Sequence, residues 1–151
     1  MFINLHQNKN FKLFKTISQV AHQENQTVYI VGGFVRDLLM SRESPTDIDF
    51  VTEESGIYLA EKIAQELNPK IKVAVFKNYG TAAFKFNNLD LEFVGARKES
   101  YSEDSRKPAV ETGTLEDEQK RRDFTVNALA ISLNAENFGE LIDPFNGRED
   151  M

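Results

Sequence analysis

The chain contains no cysteine, which excludes disulfides, thiolate metal sites and a cysteine nucleophile. Its only histidines are His6 and His22, so a histidine-built zinc site is not expected. Both are read as surface or boundary residues on or near the first helix. No apolar run approaches the ~20 residues that a membrane-spanning helix needs. A signal-peptide pattern is absent from the N-terminus, and a soluble cytoplasmic protein is expected. Basic residues are fewer than acidic ones, 18 against 24, for a net charge of −6. That balance argues against a general nucleic-acid coat protein. It does not exclude a nucleic-acid substrate, because a carboxylate metal site brings negative charge of its own. Gly-Lys-Ser/Thr phosphate loops and a dinucleotide-type Gly-x-Gly-x-x-Gly are also missing, which removes the common competing nucleotide folds.

What is present centres on Val28 to Val51. A β-branched run, Thr27 to Val31, stops at Gly32-Gly33, and Phe34 to Met40 has helical character. Ser41 to Thr46 is rich in turn formers, and Asp47-Ile48-Asp49-Phe50-Val51 begins a second strand. Residues i and i+2 of a strand share a face. Asp47 and Asp49 therefore project side by side while Ile48 and Phe50 turn to a core. Two parallel carboxylates repel each other, and a hard divalent cation such as Mg²⁺, which takes oxygen ligands, offsets that repulsion. Gly32 and Gly33 lack a Cβ and admit a ligand close to backbone N–H groups. The following helix points unsatisfied N–H groups at an anion, and Arg36 in its first turn adds a guanidinium. Each piece alone has a plainer reading: a tight turn, a solvated strand edge, an Arg36–Asp37 surface pair worth about 0–1 kcal/mol. Their conjunction at this spacing suggests a triphosphate cradle facing a metal site.

With 151 residues and 40 % hydrophobic content, the chain is long enough for one domain with a substantial core. Residues 1–10 read as a polar lead-in. Phe11, Phe14, Ile17, Val20 and Ala21 recur at helical steps through about His22, as do Ile57, Ala60, Ile63, Ala64 and Leu67 within Gly56 to Leu67. Three strands are expected next, Ile71–Phe76, Thr81–Phe86 and Leu89–Val94, with Asn87-Asn88 as a two-residue hairpin turn. Asp90 and Glu92 share one face of the third, offering a further carboxylate beside Asp47 and Asp49 if the strands are adjacent. On its own that strand reads as a half-exposed one with polar residues outward. Ala96 to Gly113 is polar and aperiodic and reads as a long mobile loop. Leu115 to Asp123 is charged and helical. Arg121-Arg122-Asp123 precedes the apolar segment Phe124 to Leu133, Leu141-Ile142-Asp143 is a short strand, and Pro144 to Gly147 a turn.

With these residues in view, the chain resembles the class II tRNA nucleotidyltransferase (CCA-adding enzyme)/poly(A) polymerase family over about residues 10–151. Val31-Gly-Gly-Phe-Val-Arg-Asp37 with Asp47-Ile-Asp49 resembles the family's first motif, and Leu91-Glu-Phe-Val-Gly-Ala-Arg97 its third-carboxylate strand. Arg121-Arg-Asp-Phe-Thr-Val-Asn-Ala128 is similar to a nucleotide-binding motif, and Asp143-Pro-Phe-Asn-Gly147 to a hinge motif. The resemblance implies an α+β fold of the polymerase-β-like nucleotidyltransferase kind, a small mixed β-sheet flanked by helices. It implies that residues 1–151 are the catalytic head domain. The start of a neck is expected at about 143–151, with neck, body and tail domains absent from this sequence. It implies Mg²⁺ held by Asp47 and Asp49, with Glu92 assisting the attacking 3′-hydroxyl and Asp90 as the fallback. Gly32, Gly33, Arg36 and Arg122 would contact the incoming nucleotide, with Asp123 and Asn127 supporting its sugar end or the arginine geometry.

The implied activity is Mg-dependent, template-independent transfer from ATP or CTP to an RNA 3′-hydroxyl, foremost tRNA 3′-CCA addition. Partners would be ATP, CTP and a tRNA or other RNA 3′ end, the RNA engaged mainly through domains beyond Met151; no membrane is implied. A poly(A) polymerase, or an enzyme adding only CC or only A, is the alternative within the family, since the base-selecting residues lie in the neck. A non-catalytic nucleotide- or RNA-binding module is the alternative from another class, and an acidic scaffold domain a third. Asp47, Asp49 and Glu92 argue against the binding module, which needs no three convergent carboxylates, and a response to Mg²⁺-ATP would separate the scaffold from the others.

Overall fold

The structure, a computed structural model, describes residues 1–41, 46–100, 109–120 and 128–143, with side chains 97–100, 109–112 and 120 left aside. Helix α1 (Phe11–Gln23) leads to strand β1 (Tyr29–Val31), short helix α2 (Gly33–Leu39) and strand β2 (Asp47–Thr52). Helix α3 (Gly56–Leu67) is followed by β3 (Ala74–Phe76), β4 (Thr81–Phe86) and β5 (Leu89–Gly95). Next come β6 (Arg97–Ser100), β7 (Ala109–Thr112), α4 (Leu115–Lys120), β8 (Ala130–Ser132) and β9 (Leu141–Ile142). The strands form a seven-stranded sheet in the order β3-β4-β5-β2-β1-β8-β9, with β6 and β7 as a separate pair. Only β2 and β5 run parallel in the large sheet. It is the mixed, helix-flanked α+β sheet expected from the sequence.

Alternation decides which way this sheet faces. Ile48 and Phe50 of β2 lie opposite Leu91 and Phe93 of β5, and all four are fully buried. Phe50 stacks on Phe93 at 4.7 Å and 10°, and Phe93 on Phe84 at 5.7 Å. Phe14 of α1 meets Phe34 and Phe50 edge-on. Leu13, Phe14, Ile17, Val20 and Ala21 of α1, with Leu59, Ala60, Ile63 and Ala64 of α3, complete the same core. Each large side chain removed from water contributes about 1.5–3 kcal/mol, so this face fixes the register of the sheet and leaves the odd-numbered acids of β2 on the other. Helix α3 starts on Gly56 because a Cβ there would lie 2.7 Å from the Gly95 amide nitrogen, so the helix end rests directly on the β5 backbone. Ser55 caps it, its hydroxyl accepting from the Tyr58 N–H at 3.1 Å.

Three expectations from the sequence are corrected. Residues 1–10 are not simply a polar lead-in. Leu5 is 1 % exposed, the Ile3 N–H donates to the Gly139 carbonyl at 2.7 Å and the Leu141 N–H to the Met1 carbonyl at 2.9 Å. The apolar residues of that segment are too few to show a period, so burial there depends on the distant β8–β9 connection. Ala96 to Gly113 is not a structureless loop either. Arg97 pairs with Thr112 and Ser100 with Ala109 in an antiparallel β6–β7 ribbon. Backbone hydrogen bonds hold it, and polar side chains give no alternation to read; residues 101–108 lie outside the described ones. The strand expected at Ile71–Phe76 is shorter, since only Ala74, Val75 and Phe76 pair with β4. Asn87 and Asn88 adopt φ of 49° and 65°, the positive values a two-residue hairpin turn requires. Among the described residues no helix is long and apolar enough to cross a membrane.

Candidate active site

Because β2 and β5 are parallel and in register, Asp47 stands opposite Asp90 and Asp49 opposite Glu92. Adjacent strands are about 4.8 Å apart, so the four acids form a compact block on the face away from α1 and α3. The adjacency of strands on which the third carboxylate depended is therefore present. Glu92 feels it: partial desolvation, and then the charge of Asp49, push its carboxyl above the ordinary 4.5. His6 and His22, set aside as ligands, are exposed, and His6 stacks on Phe11 at 4.4 Å.

Strand β1 pairs antiparallel with the other edge of β2, Val31 opposite Asp49, which delivers the glycine pair to the same place. Gly32 has φ 78° and ψ −150°, a conformation that is essentially glycine's alone. A Cβ on Gly32 would sit 3.3 Å from Asp49 Oδ2, and one on Gly33 would sit 3.5 Å from Arg36 Nη2. The two glycines are thus the surface on which Asp49 and Arg36 face outward. Arg36 Nε also donates to Asp37 Oδ1 at 3.2 Å, so the local pair expected on plainer grounds does form. Its guanidinium still lies over Gly33. Helix α2 has seven residues, and its first N–H groups have no partner inside the helix.

The acids form one wall of a cleft of about 720 Å³ that continues across β5 and β4 toward β3. Ile71, Lys72, Ala74, Ala83 and Lys85 line the remainder. Lys85 lies opposite Asp90, its Nζ 3.9 Å from Asp90 Oδ1 with the side chain 88 % exposed. Lys72 and Lys85 escaped the sequence reading. The signal that finds them is an acid-free stretch between Glu66 and Asp90.

Helix α4 closes the far end of this face. Thr114 and Asp117 cap it reciprocally, the Thr114 N–H donating to Asp117 Oδ2 at 2.9 Å and the Asp117 N–H to Thr114 Oγ1 at 3.2 Å. The Leu115 N–H donates to Glu53 Oε2 at 2.9 Å, tying the helix to the end of β2. Buried Gln119 donates to the Ala128 carbonyl at 2.8 Å and the Ile142 carbonyl at 3.4 Å. The structure thus brings together Gly32, Gly33, Arg36, Asp47, Asp49, Asp90 and Glu92. Arg122, Asp123 and Asn127 lie outside the described residues.

Residues 28–151 match the family model described as the poly A polymerase head domain, and the chain belongs to that family. It is 46 % identical over 123 residues to an A-adding tRNA nucleotidyltransferase of Aquifex aeolicus (strain VF5), covering 82 % of this chain and 15 % of that protein. It is 40 % identical over 135 residues to a CCA-adding enzyme of Geobacillus sp. (strain WCH70), covering 88 % of this chain and 31 % of that one. Among solved structures it resembles a tRNA nucleotidyltransferase complexed with a primer tRNA and an incoming ATP analog. There the TM-score is 0.76 at 41 % identity, over 89 % of this chain and 36 % of that one. The chain therefore spans only about a sixth to a third of the length of these relatives.

Proposed function

We propose that this chain is the catalytic head of an enzyme that transfers a nucleotide from ATP or CTP to the 3′-hydroxyl of tRNA in the cytoplasm, without a template. Residues 1–151 then form the head, with a neck beginning at about 143–151. The observation that carries the reading is the register that sets Asp49 beside Glu92 and Gly32 against Asp49. One small area thereby holds the carboxylates, the glycine surface and Arg36. The relatives that match the chain are named for A addition and for CCA addition, so either base is a substrate candidate.

The donor set fits Mg²⁺. It consists of carboxylate oxygens alone, and Glu92 is pushed up partly by a neighbouring negative charge that a cation would relieve. Among the described residues no three acidic side chains are already gathered as a metal cage. An open site is what this ion uses, since it binds through one or two carboxylates plus substrate phosphates. Asp47 and Asp49 would hold it, and when bound it would lower the charge on the phosphates and favour deprotonation of the attacking hydroxyl. The rest falls to the chain's own groups. Backbone at Gly32 and Gly33 lets the triphosphate approach, and Arg36, with Arg122, holds its charge. Glu92 orients the 3′-hydroxyl, whose oxygen bonds to the α-phosphorus as the bond to pyrophosphate breaks. Asp123 and Asn127 support the sugar end or the arginine geometry.

The test is a chimera carrying residues 1–151 in place of the matching head of the Geobacillus relative, assayed for labelled ATP and CTP incorporation into tRNA. Incorporation that vanishes with Asp49→Asn is the expected result. A folded chimera that binds tRNA and incorporates nothing would overturn the proposal.

A further inference from the structure

Between Glu66 and Asp90 the chain carries Lys70, Lys72, Lys77 and Lys85 and no acidic residue, although its net charge is −6. The topology gathers this stretch at one edge of the sheet, in β3, the 3₁₀ turn Lys77–Tyr79 and β4. Ala74 pairs with Ala83 and Phe76 with Thr81, while Ala83 pairs with Glu92. Phe76 therefore stands on the carboxylate face, three strand spacings or about 14 Å from β2. Phe76 is 51 % exposed and the nearby Tyr79 62 %. Lys72 and Lys85 line the cleft together with the acids, and Phe76 and Tyr79 stand outside its lining. The cleft thus has acids and lysines in its walls, and exposed aromatic rings lie near it at the sheet edge.

That combination is the one that holds a single nucleic-acid strand: bases stack on aromatic rings while lysines neutralise the backbone. The direction of the chemistry agrees. In-line displacement sets the attacking and leaving oxygens on opposite sides of the phosphorus. Gly32, Gly33 and Arg36 lie on the β1 side of Asp47 and Asp49, so the hydroxyl must arrive from the β5–β4–β3 side. Lys85 is free to serve, since its contact with Asp90 is long and the side chain largely solvated.

We infer that the β3–β4 edge seats the single-stranded 3′ end of the acceptor RNA, Phe76 and Tyr79 stacking on its bases and Lys72, Lys77 and Lys85 neutralising its phosphates. This rests on the proposed transfer reaction and adds where the acceptor lies. It also moves part of the RNA-binding surface into this domain, where the net charge gave no sign of one.

The test is anisotropy of a short fluorescein-labelled single-stranded RNA ending in C-C, titrated with the 151-residue chain at low salt. A parallel titration uses a fluorescent ATP analogue with Mg²⁺. Phe76→Ala with Tyr79→Ala is expected to weaken RNA binding by about tenfold or more, and Phe76→Leu, which keeps apolar bulk, to weaken it as well. Lys72→Gln and Lys85→Gln are each expected to reduce the slope of log affinity against log salt by about 0.7. The ATP analogue should bind all these variants as it binds the parent. RNA affinity unmoved by every variant would overturn the inference, as would loss of self-association in its place, which would make the patch a contact between copies. RNA binding that follows the expected pattern in a chain that takes up no nucleotide would support the strand seat and overturn the proposed reaction.

Discussion

Substituting alanine separately at Gly32 and Gly33 separates two roles that the glycine pair combines. At Gly32, φ 78° and ψ −150° cost a residue with a Cβ about 1–3 kcal/mol. The new methyl would also press on Asp49 Oδ2 at 3.3 Å, which must give by a few tenths of an ångström. Alanine lowers the entropy of the unfolded chain, which returns about 0.4–1 kcal/mol. The net is a destabilisation of about 1–2 kcal/mol, and for a chain of this size about 2–8 °C in Tm. Gly33 differs. Its φ is not in the left-handed range, and its Cβ would make an ordinary 3.5 Å contact with Arg36 Nη2, so the unfolded-state gain should stand and Tm should rise by about 1–4 °C. Both changes obstruct the surface on which the triphosphate would rest, so both should weaken the fluorescent ATP analogue. Calorimetry and nucleotide titration on the same samples read the two effects apart. A Gly32→Ala chain melting with the parent would refute the backbone reasoning. Undiminished nucleotide affinity in Gly33→Ala would remove Gly33 from the phosphate seat.

Asp49→Asn should leave the melting temperature unchanged or raised, because it removes a charge that faces Glu92. It should reduce incorporation by the chimera more than a hundredfold, since even outer-shell partners of a metal site cost about 10–100-fold; an unfolded variant would make Asp49 a structural residue. Glu92→Gln should show a pH signature. The Glu92 carboxyl is raised in the folded state, so its stability is fully present below the ordinary value of 4.5. It is lost as pH climbs through the folded value. The variant should therefore melt with the parent near pH 4 and above it at pH 7, and a constant offset across that range would count against the shift. Gln119→Ala should cost about 1–3 kcal/mol, because Gln119 is 3 % exposed and the Ala128 and Ile142 carbonyls lose their donor. A denaturant titration with an unchanged midpoint would show those carbonyls satisfied otherwise.

The sequence by itself determined which acids share a face. Asp47 with Asp49, and Asp90 with Glu92, follow from the two-residue period of a strand, and the apolar residues between them say which face is buried. The bounds of α3, Gly56–Leu67, and the turn at Asn87-Asn88 were legible for the same reason, since helical spacing and tolerance of positive φ are properties of neighbouring residues. Only the tertiary structure decided that β2 and β5 lie side by side in parallel with Asp49 level with Glu92. It alone brought β1 to the other edge of β2, so that Gly32 meets Asp49. It also carried Phe76, Lys72 and Lys85 onto the acidic face, paired residues 97–100 with 109–112, and buried Leu5. These are long-range choices. They are made by stacking Phe50 on Phe93 and burying Ile48 with Leu91, and a slip of one residue would turn every acid inward. The local pattern supplies the two faces, and burial against distant strands selects the register that makes them a site.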